Sequence, residues 1–218
     1  MLSDIQKELT KKFLTMKFWL YKLDDGNLYE IEKGLFFVYI YGIFEWLVKI
    51  ITQRTIESIN EYGGKIDEFI YDVYPLIFSQ EIDSLQGCGI RKKWIAGAQI
   101  SQRLKENNTV VIANEIFPTN GRNIHLPQLT SIATVFGIKE DVIPNKESEG
   151  YLSEVIKNRN YIAHGEKEPC EVGAGYSKKD IFTIYTVIYE LSDFILQQYN
   201  NYIKNKNFLK KKCLNILI

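Results

Sequence analysis

Residues 29 to 64 read Y-E-I-E-K-G-L-F-F-V-Y-I-Y-G-I-F-E-W-L-V-K-I-I-T-Q-R-T-I-E-S-I-N-E-Y-G-G. Apolar side chains recur at three- and four-residue spacing along the stretch, no proline interrupts it, and Gly63-Gly64 closes it. That spacing gathers side chains on one side of an α-helix, whereas a strand would alternate them. The reading is a single helix from about Tyr29 to Tyr62, stopped by the two glycines. Near Leu35–Trp46 the apolar residues lie almost all round, which suits a helix at the centre of a bundle.

Helical periodicity continues on both sides. Ile5, Leu9, Phe13, Leu14 and Met16 to Leu20 predict an amphipathic first helix, ended by the turn chemistry of Asp24-Asp25-Gly26-Asn27. Ile66–Phe78 predicts a third helix, kinked at Pro75. Leu126–Phe136 reads as a short helix capped by Gly137. A further helix begins near Glu149 and ends at His164-Gly165. The last long one covers Ser177–Tyr202, opened by a capping box in which Asp180 replaces the usual Glu.

The middle, about residues 80–148, is less regular. Gln86-Gly-Cys-Gly, Asn107-Asn108 and Phe117–Asn123 break it, and Thr109–Ile112 fits either a short strand or a helix end. The expectation is an all-α bundle with a long central helix and a less regular middle insertion. It forms one domain over residues 1–205, followed by a basic and apolar tail over 206–218.

Composition narrows the function. The 218 residues are 45% hydrophobic and 13% aromatic, enough for one sizeable core. Lys+Arg and Asp+Glu stand at 27 each, so no overall field draws the chain to nucleic acid, and such a site must be local. The N-terminus lacks the plan of a signal peptide. The apolar run from Gly34 to Ile51 is broken by Glu45 and Lys49 and reads as too short for a membrane span. Cys88, Cys170 and Cys213 are far apart, with neither disulfide nor zinc spacing. Together these features predict a cytoplasmic protein with no membrane segment. Asp24-Asp25 and Asp67-Glu68 lack companion ligands, so no metal site and no cofactor are expected. Gly63-Gly64-Lys65 lacks the preceding glycine of a phosphate loop, and Gly173-Ala-Gly175 reads as a plain turn.

The functional signal lies in V-I-K-N-R-N-Y-I-A-H-G-E, Val155–Glu166. Asn160 and His164 are four residues apart, offset by about 40° on a helix, so they share a face. Arg159 is turned roughly 140° from His164 and reaches the same groove only through its long stem. The segment offers a cation for phosphate, a polar orienter, and a side chain that titrates near neutral pH.

R-N-Y-I-A-H-G resembles the signature of HEPN domains, all-helical bundles with an R-[NDH]-x(3–5)-H motif, and especially the branch carrying R-N-x-x-A-H-G. The resemblance implies a dimeric, metal-independent endoribonuclease, often a toxin or phage-defence effector with an antitoxin or defence partner. RNA brings its own nucleophile, the 2′-hydroxyl. His164 then serves as base or acid, Arg159 binds the non-bridging oxygens, and Asn160 orients one of these groups. One motif supplies one histidine for two proton-transfer roles, so the second is expected from a second copy across a two-fold axis.

Other residues are weighed beside the motif. Glu45, inside the apolar second helix, either orients the site, with Arg159 or a backbone cap as partner, or reaches solvent. Arg91-Lys92-Lys93 beside Trp94, and Tyr161 within the motif, are candidates for RNA contact set against solvated surface and core packing. His125 with Arg122 imitates the motif at too short a spacing and reads as loop chemistry. Two other functions stay open: a non-catalytic module binding RNA or a protein, and a regulatory subunit of a toxin–antitoxin pair.

Overall fold

The computed structural model describes residues 2–24, 26, 28–113 and 123–211. Asp25 and Asn27 of the first turn, Phe117–Arg122 of the middle loop, and the tail from Lys212 onward lie outside the described residues. In chain order the helices are α1 (Ser3–Lys22), α2 (Tyr29–Tyr62), α3 (Tyr74–Ile77), α4 (Ser79–Asp83), α5 (Ile90–Glu106), α6 (Leu126–Phe136), α7 (Lys146–Ala163), α8 (Pro169–Ala174) and α9 (Lys178–Lys204). No strand occurs among the described residues; extended pairing is limited to the isolated bridges Lys65–Thr109 and Phe69–Leu209. The all-α expectation holds.

The chain forms two compact units. The first comprises Met1–Ile51, Thr119–Leu129 and Asp141–Asn200. Here α1 buries Ile5, Leu9, Phe13, Met16 and Leu20, one side of a helix at three- and four-residue spacing. Each such burial contributes about 1.5–3 kcal/mol. The Lys12 ammonium sits 4.8 Å from the Trp46 ring centroid and Trp19 lies 6.5 Å from Tyr39, so α1 and α2 run antiparallel. Against α1, Tyr185 of α9 donates its hydroxyl to the Phe13 carbonyl at 3.0 Å. The Ser177–Asp180 capping box forms, and those hydrogen bonds, from the Ser177 side chain first, hold the Asp180 carboxyl below its usual range.

α2 ends where the two glycines predict, with Gly63 at φ +65°. It buries Phe36, Phe37, Ile40, Tyr41, Ile43, Phe44, Leu47 and Val48, but Leu35, Val38 and Tyr39 stay 37 to 43% exposed. The all-round burial expected near Leu35–Trp46 therefore gives way to an open stripe. By length and composition this helix also meets the requirement for crossing a membrane, contrary to the sequence estimate, because Glu45 and Lys49 leave its most apolar window at a mean hydropathy of 1.7. Over half of its most apolar window (56%) is buried within the protein, as in the core helix of a helical bundle.

The second unit comprises Thr52–Pro118, Thr130–Glu140 and Asn201–Ile218. Ile66–Phe78 is not one helix. Two 3-10 turns, Ile66–Glu68 and Tyr71–Val73, precede α3, whose first turn holds Pro75. Phe69 and Ile70 are extended because they pair with the C-terminal segment: Ile70 N–H donates to the Phe208 carbonyl at 3.0 Å. Tertiary pairing overrides local periodicity there. Thr109 bridges Lys65, and Asn60 clasps both backbone groups of Ile112 at 2.8 Å, so this stretch is extended. Gly137 closes α6 at φ +68° as expected. Residues 90–106, where the sequence suggested no element, form the 17-residue α5, of which only Ala96 is buried.

Candidate active site

All three motif residues belong to the first unit and lie at the end of α7. The helix starts at Lys146, three residues before the sequence estimate, because the Asn145 side chain accepts the Ser148 N–H at 2.8 Å. That N-cap contributes about 1 kcal/mol. Leu152, Val155, Ile156 and Asn158 face inward.

Its end is fixed by backbone alone. Glu166 N–H donates to the Tyr161 carbonyl at 2.8 Å and Gly165 N–H to Ile162 at 3.1 Å, with Gly165 at φ +68°. This double bond pattern around a left-handed glycine is the Schellman motif. It makes His164 the capping residue, so the imidazole stands exposed where the chain turns away. Among the described residues the imidazole has no hydrogen-bond partner.

Arg159 turns the other way. Its guanidinium lies 5.2 Å from the ring centroid of Tyr41, on α2, and its Nη1 donates to Asn160 Oδ1 at 3.1 Å. The same oxygen accepts a 2.8 Å bond from Asn123 Nδ2. A guanidinium can only donate, so the Asn160 atom facing it is the oxygen, and Asn123 must present its amino group. The next residue along, Ile124, is buried and donates its N–H to the Tyr41 hydroxyl at 3.0 Å. The contacts close into a ring: Tyr41, Ile124, Asn123, Asn160, Arg159 and back to Tyr41. Burial pushes the Tyr41 hydroxyl up, with Glu45 adding to the rise, while the Ile124 bond and Arg159 oppose it, so Tyr41 stays neutral.

This ring has a chemical polarity. Both lone-pair directions of Asn160 Oδ1 are taken, and its Nδ2 has no partner among the described residues. What the Arg159–Asn160 pair has left to offer is donors. Such a set recognises an oxyanion, a phosphate above all.

The remaining candidates fall in different places. Glu45 pairs with Lys49 at 2.7 Å, on the helix surface, so its partner is neither Arg159 nor a backbone cap. The Tyr161 ring is flanked by Lys157 and Lys167, whose ammonium groups lie 5.7 and 4.9 Å from its centroid. Tyr161 thus gathers two cations one turn before His164. Arg91, Lys92 and Lys93 are exposed on α5, in the second unit, beside Trp94 at 76% exposure. His125 is half-buried two residues after Asn123, and its backbone N–H donates to Gln128 Oε1 at 3.1 Å.

Beyond His164 the chain enters α8, which the sequence had as a plain turn. Pro169 occupies its first turn, and Glu168 with Glu171 forms a capping box. Gly173 and Gly34 explain its placement. A Cβ on Gly34 would lie 2.0 Å from the Pro169 carbonyl oxygen, and one on Gly173 1.8 Å from that of Glu30. The two backbones touch without side chains between them, which fixes the path away from His164. Just after α8, the Tyr176 hydroxyl donates to Glu154 and accepts from Asn158, each at 2.7 Å. Burial, and then the Glu154 bond, raise its pKa to about 12.

Tyr41, Asn123, Lys157 and Lys167 join the site from outside the R-N-x-x-x-H signature. Lys157 had a visible signal, its four-residue spacing from Tyr161; Asn123 had none.

In comparison with known proteins, a family model described as RiboL-PSP-HEPN matches residues 2–205. No curated protein and no solved structure matches the chain.

Proposed function

Because the chain belongs to the RiboL-PSP-HEPN family, we propose that it is a metal-independent endoribonuclease using Arg159, Asn160 and His164. The observation that carries the reading is the donor-only edge of Arg159 and Asn160, with an exposed imidazole one turn on. A phosphodiester fits that edge, since its non-bridging oxygens only accept. The 2′-hydroxyl attacks phosphorus as a base takes its proton. The 2′-oxygen–phosphorus bond forms, the bond to the 5′-oxygen breaks, and an acid protonates the leaving oxygen. The products are a 2′,3′-cyclic phosphate and a 5′-hydroxyl. Arg159 and the Asn160 amide stabilise charge on the equatorial oxygens, while His164 supplies one proton-transfer role.

The second role falls to His164 of a second copy in a homodimer with a composite site. The exposed apolar stripe Leu35, Val38 and Tyr39 on α2 supports self-association. Lys157 and Lys167 beside Tyr161, and the exposed Arg91, Lys92 and Lys93, serve as contacts to the RNA backbone. The protein acts in the cytoplasm as a toxin or phage-defence effector, held in check by an antitoxin or defence-system partner protein.

The test is cleavage of single-stranded and structured RNA in EDTA by the wild type, Arg159→Ala and His164→Ala. Metal-independent cleavage leaving cyclic phosphate ends, lost by at least about 100-fold in both variants, is the expected result. A requirement for Mg²⁺, or activity surviving both substitutions, overturns it, and a fully active monomer overturns the composite site. Binding of RNA without cleavage would select the non-catalytic module instead, a reading favoured by how fully Arg159 is engaged by Tyr41 and Asn160.

A further inference from the structure

We propose that Asn123 is a positioning residue of this site, one that decides which end of the Asn160 amide meets the phosphate. The inference rests on the ribonuclease reading and adds a residue from outside the motif. An isolated asparagine rotates about its terminal torsion, and its two ends carry opposite polarity. With Oδ1 outward, Asn160 would present lone pairs to an anionic oxygen; with Nδ2 outward, it donates. The difference is an attraction against a repulsion at the same place.

Arg159 alone does not lock the choice. It offers one bond of 3.1 Å from a long side chain that the substrate phosphate also attracts. Asn123 supplies a second donor at 2.8 Å from a backbone position that is itself pinned, because buried Ile124 is bonded to Tyr41. When Arg159 turns toward phosphate, Asn123 still holds Oδ1 inward and leaves Nδ2 facing the substrate. Partners that orient metal-ligating side chains are worth about 10–100-fold in activity, and a partner that orients a phosphate-binding amide acts by the same means.

The test is a double-mutant cycle on RNA cleavage, with folding of each variant checked by its thermal midpoint. Asn123→Ala and the isosteric Asn123→Asp, which removes the donor and keeps the shape, should each lower kcat by about tenfold or more with little change in KM. In the Asn160→Ala background, Asn123→Ala should cost nothing further, because the group it orients is gone. A purely structural role for Asn123 would cost the same in both backgrounds, and that result overturns the proposal, as does full activity of Asn123→Asp. Arg159→Ala and His164→Ala report separately on the ribonuclease reading. If the wild type cleaves no RNA, the wild type and Asn123→Ala are compared through the Asn160 side-chain amide resonances during titration with inorganic phosphate. They should shift in the wild type and not in Asn123→Ala; no shift in the wild type, or equal shifts in both, also overturns the proposal.

Discussion

Asn123 donates to Asn160 across 37 residues of sequence, with a nitrogen–oxygen distance of 2.8 Å. The bond joins a loop to the motif helix, and both are tied to Tyr41 on α2 by separate contacts. The site is therefore a closed arrangement of three chain segments, and each contact can be broken singly.

Tyr41→Phe keeps the ring beneath Arg159 and removes only the acceptor of the buried Ile124 N–H. An unsatisfied buried donor costs about 1–3 kcal/mol, so urea unfolding should show a loss in that range. Cleavage should fall as well, because the loop bearing Asn123 loses its anchor. A variant with wild-type stability and activity would show that the Tyr41 hydroxyl is dispensable.

Gly34→Ala places a methyl group where the Pro169 carbonyl stands, and Gly173→Ala does the same against Glu30. Neither neighbour is a flexible side-chain tip, so relief requires α8 to move. Overpacking of this kind costs about 1–3 kcal/mol. Activity should drop with stability, since α8 sets the path of the chain leaving His164. Calorimetry and cleavage rates measured on the same samples decide it.

Lys157→Ala with Lys167→Ala removes the two cations gathered by Tyr161. If both meet RNA phosphates, the salt dependence of binding should flatten by about 1.4 in log–log slope. Affinity should fall alike for unrelated RNA sequences. An unchanged slope would place RNA elsewhere, with Arg91, Lys92 and Lys93 on α5 as the next residues to substitute.

The Tyr176 hydroxyl gives stability an alkaline limit. Its pKa is raised from 10.0 to about 12 in the folded protein. The folded state therefore binds this proton more tightly than the unfolded chain does. The resulting stabilisation is complete below pH 10 and is lost as pH climbs toward 12. Tyr176→Phe should lower stability at neutral pH, by orphaning Glu154 and Asn158, yet flatten its decline over that alkaline window. Denaturant midpoints across the range give the comparison.

The parts legible in sequence were those that leave a periodic or local mark. Both ends of α2 could be read, because apolar spacing and a glycine pair act within a few residues of the positions they determine. The capping box at Ser177 and the glycine at His164-Gly165 were readable for the same reason. α5 was not, since only Ala96 is buried and the cations Arg91–Lys93 stand among its apolar residues. Ile66–Phe78 misled because its partner, the segment around Phe208, lies far along the chain. Arg159, Asn160 and His164 stand out as a motif, but the orientation of Asn160 depends on a loop asparagine that no spacing rule connects to it. Gly173 looked like turn chemistry because the backbone it must approach belongs to α2.

The glycine crossing of α2 and α8 also governs how this part of the molecule opens. A six-residue helix is too short to persist alone, so α8 borrows its order from the longer helix it touches. Contact through bare backbone leaves no rotamers to absorb a partial separation. α8 and the first turns of α2 should therefore come apart together or not at all, in a single cooperative step. The segment carrying the chain away from His164 then has two states, docked and released, with nothing graded between them.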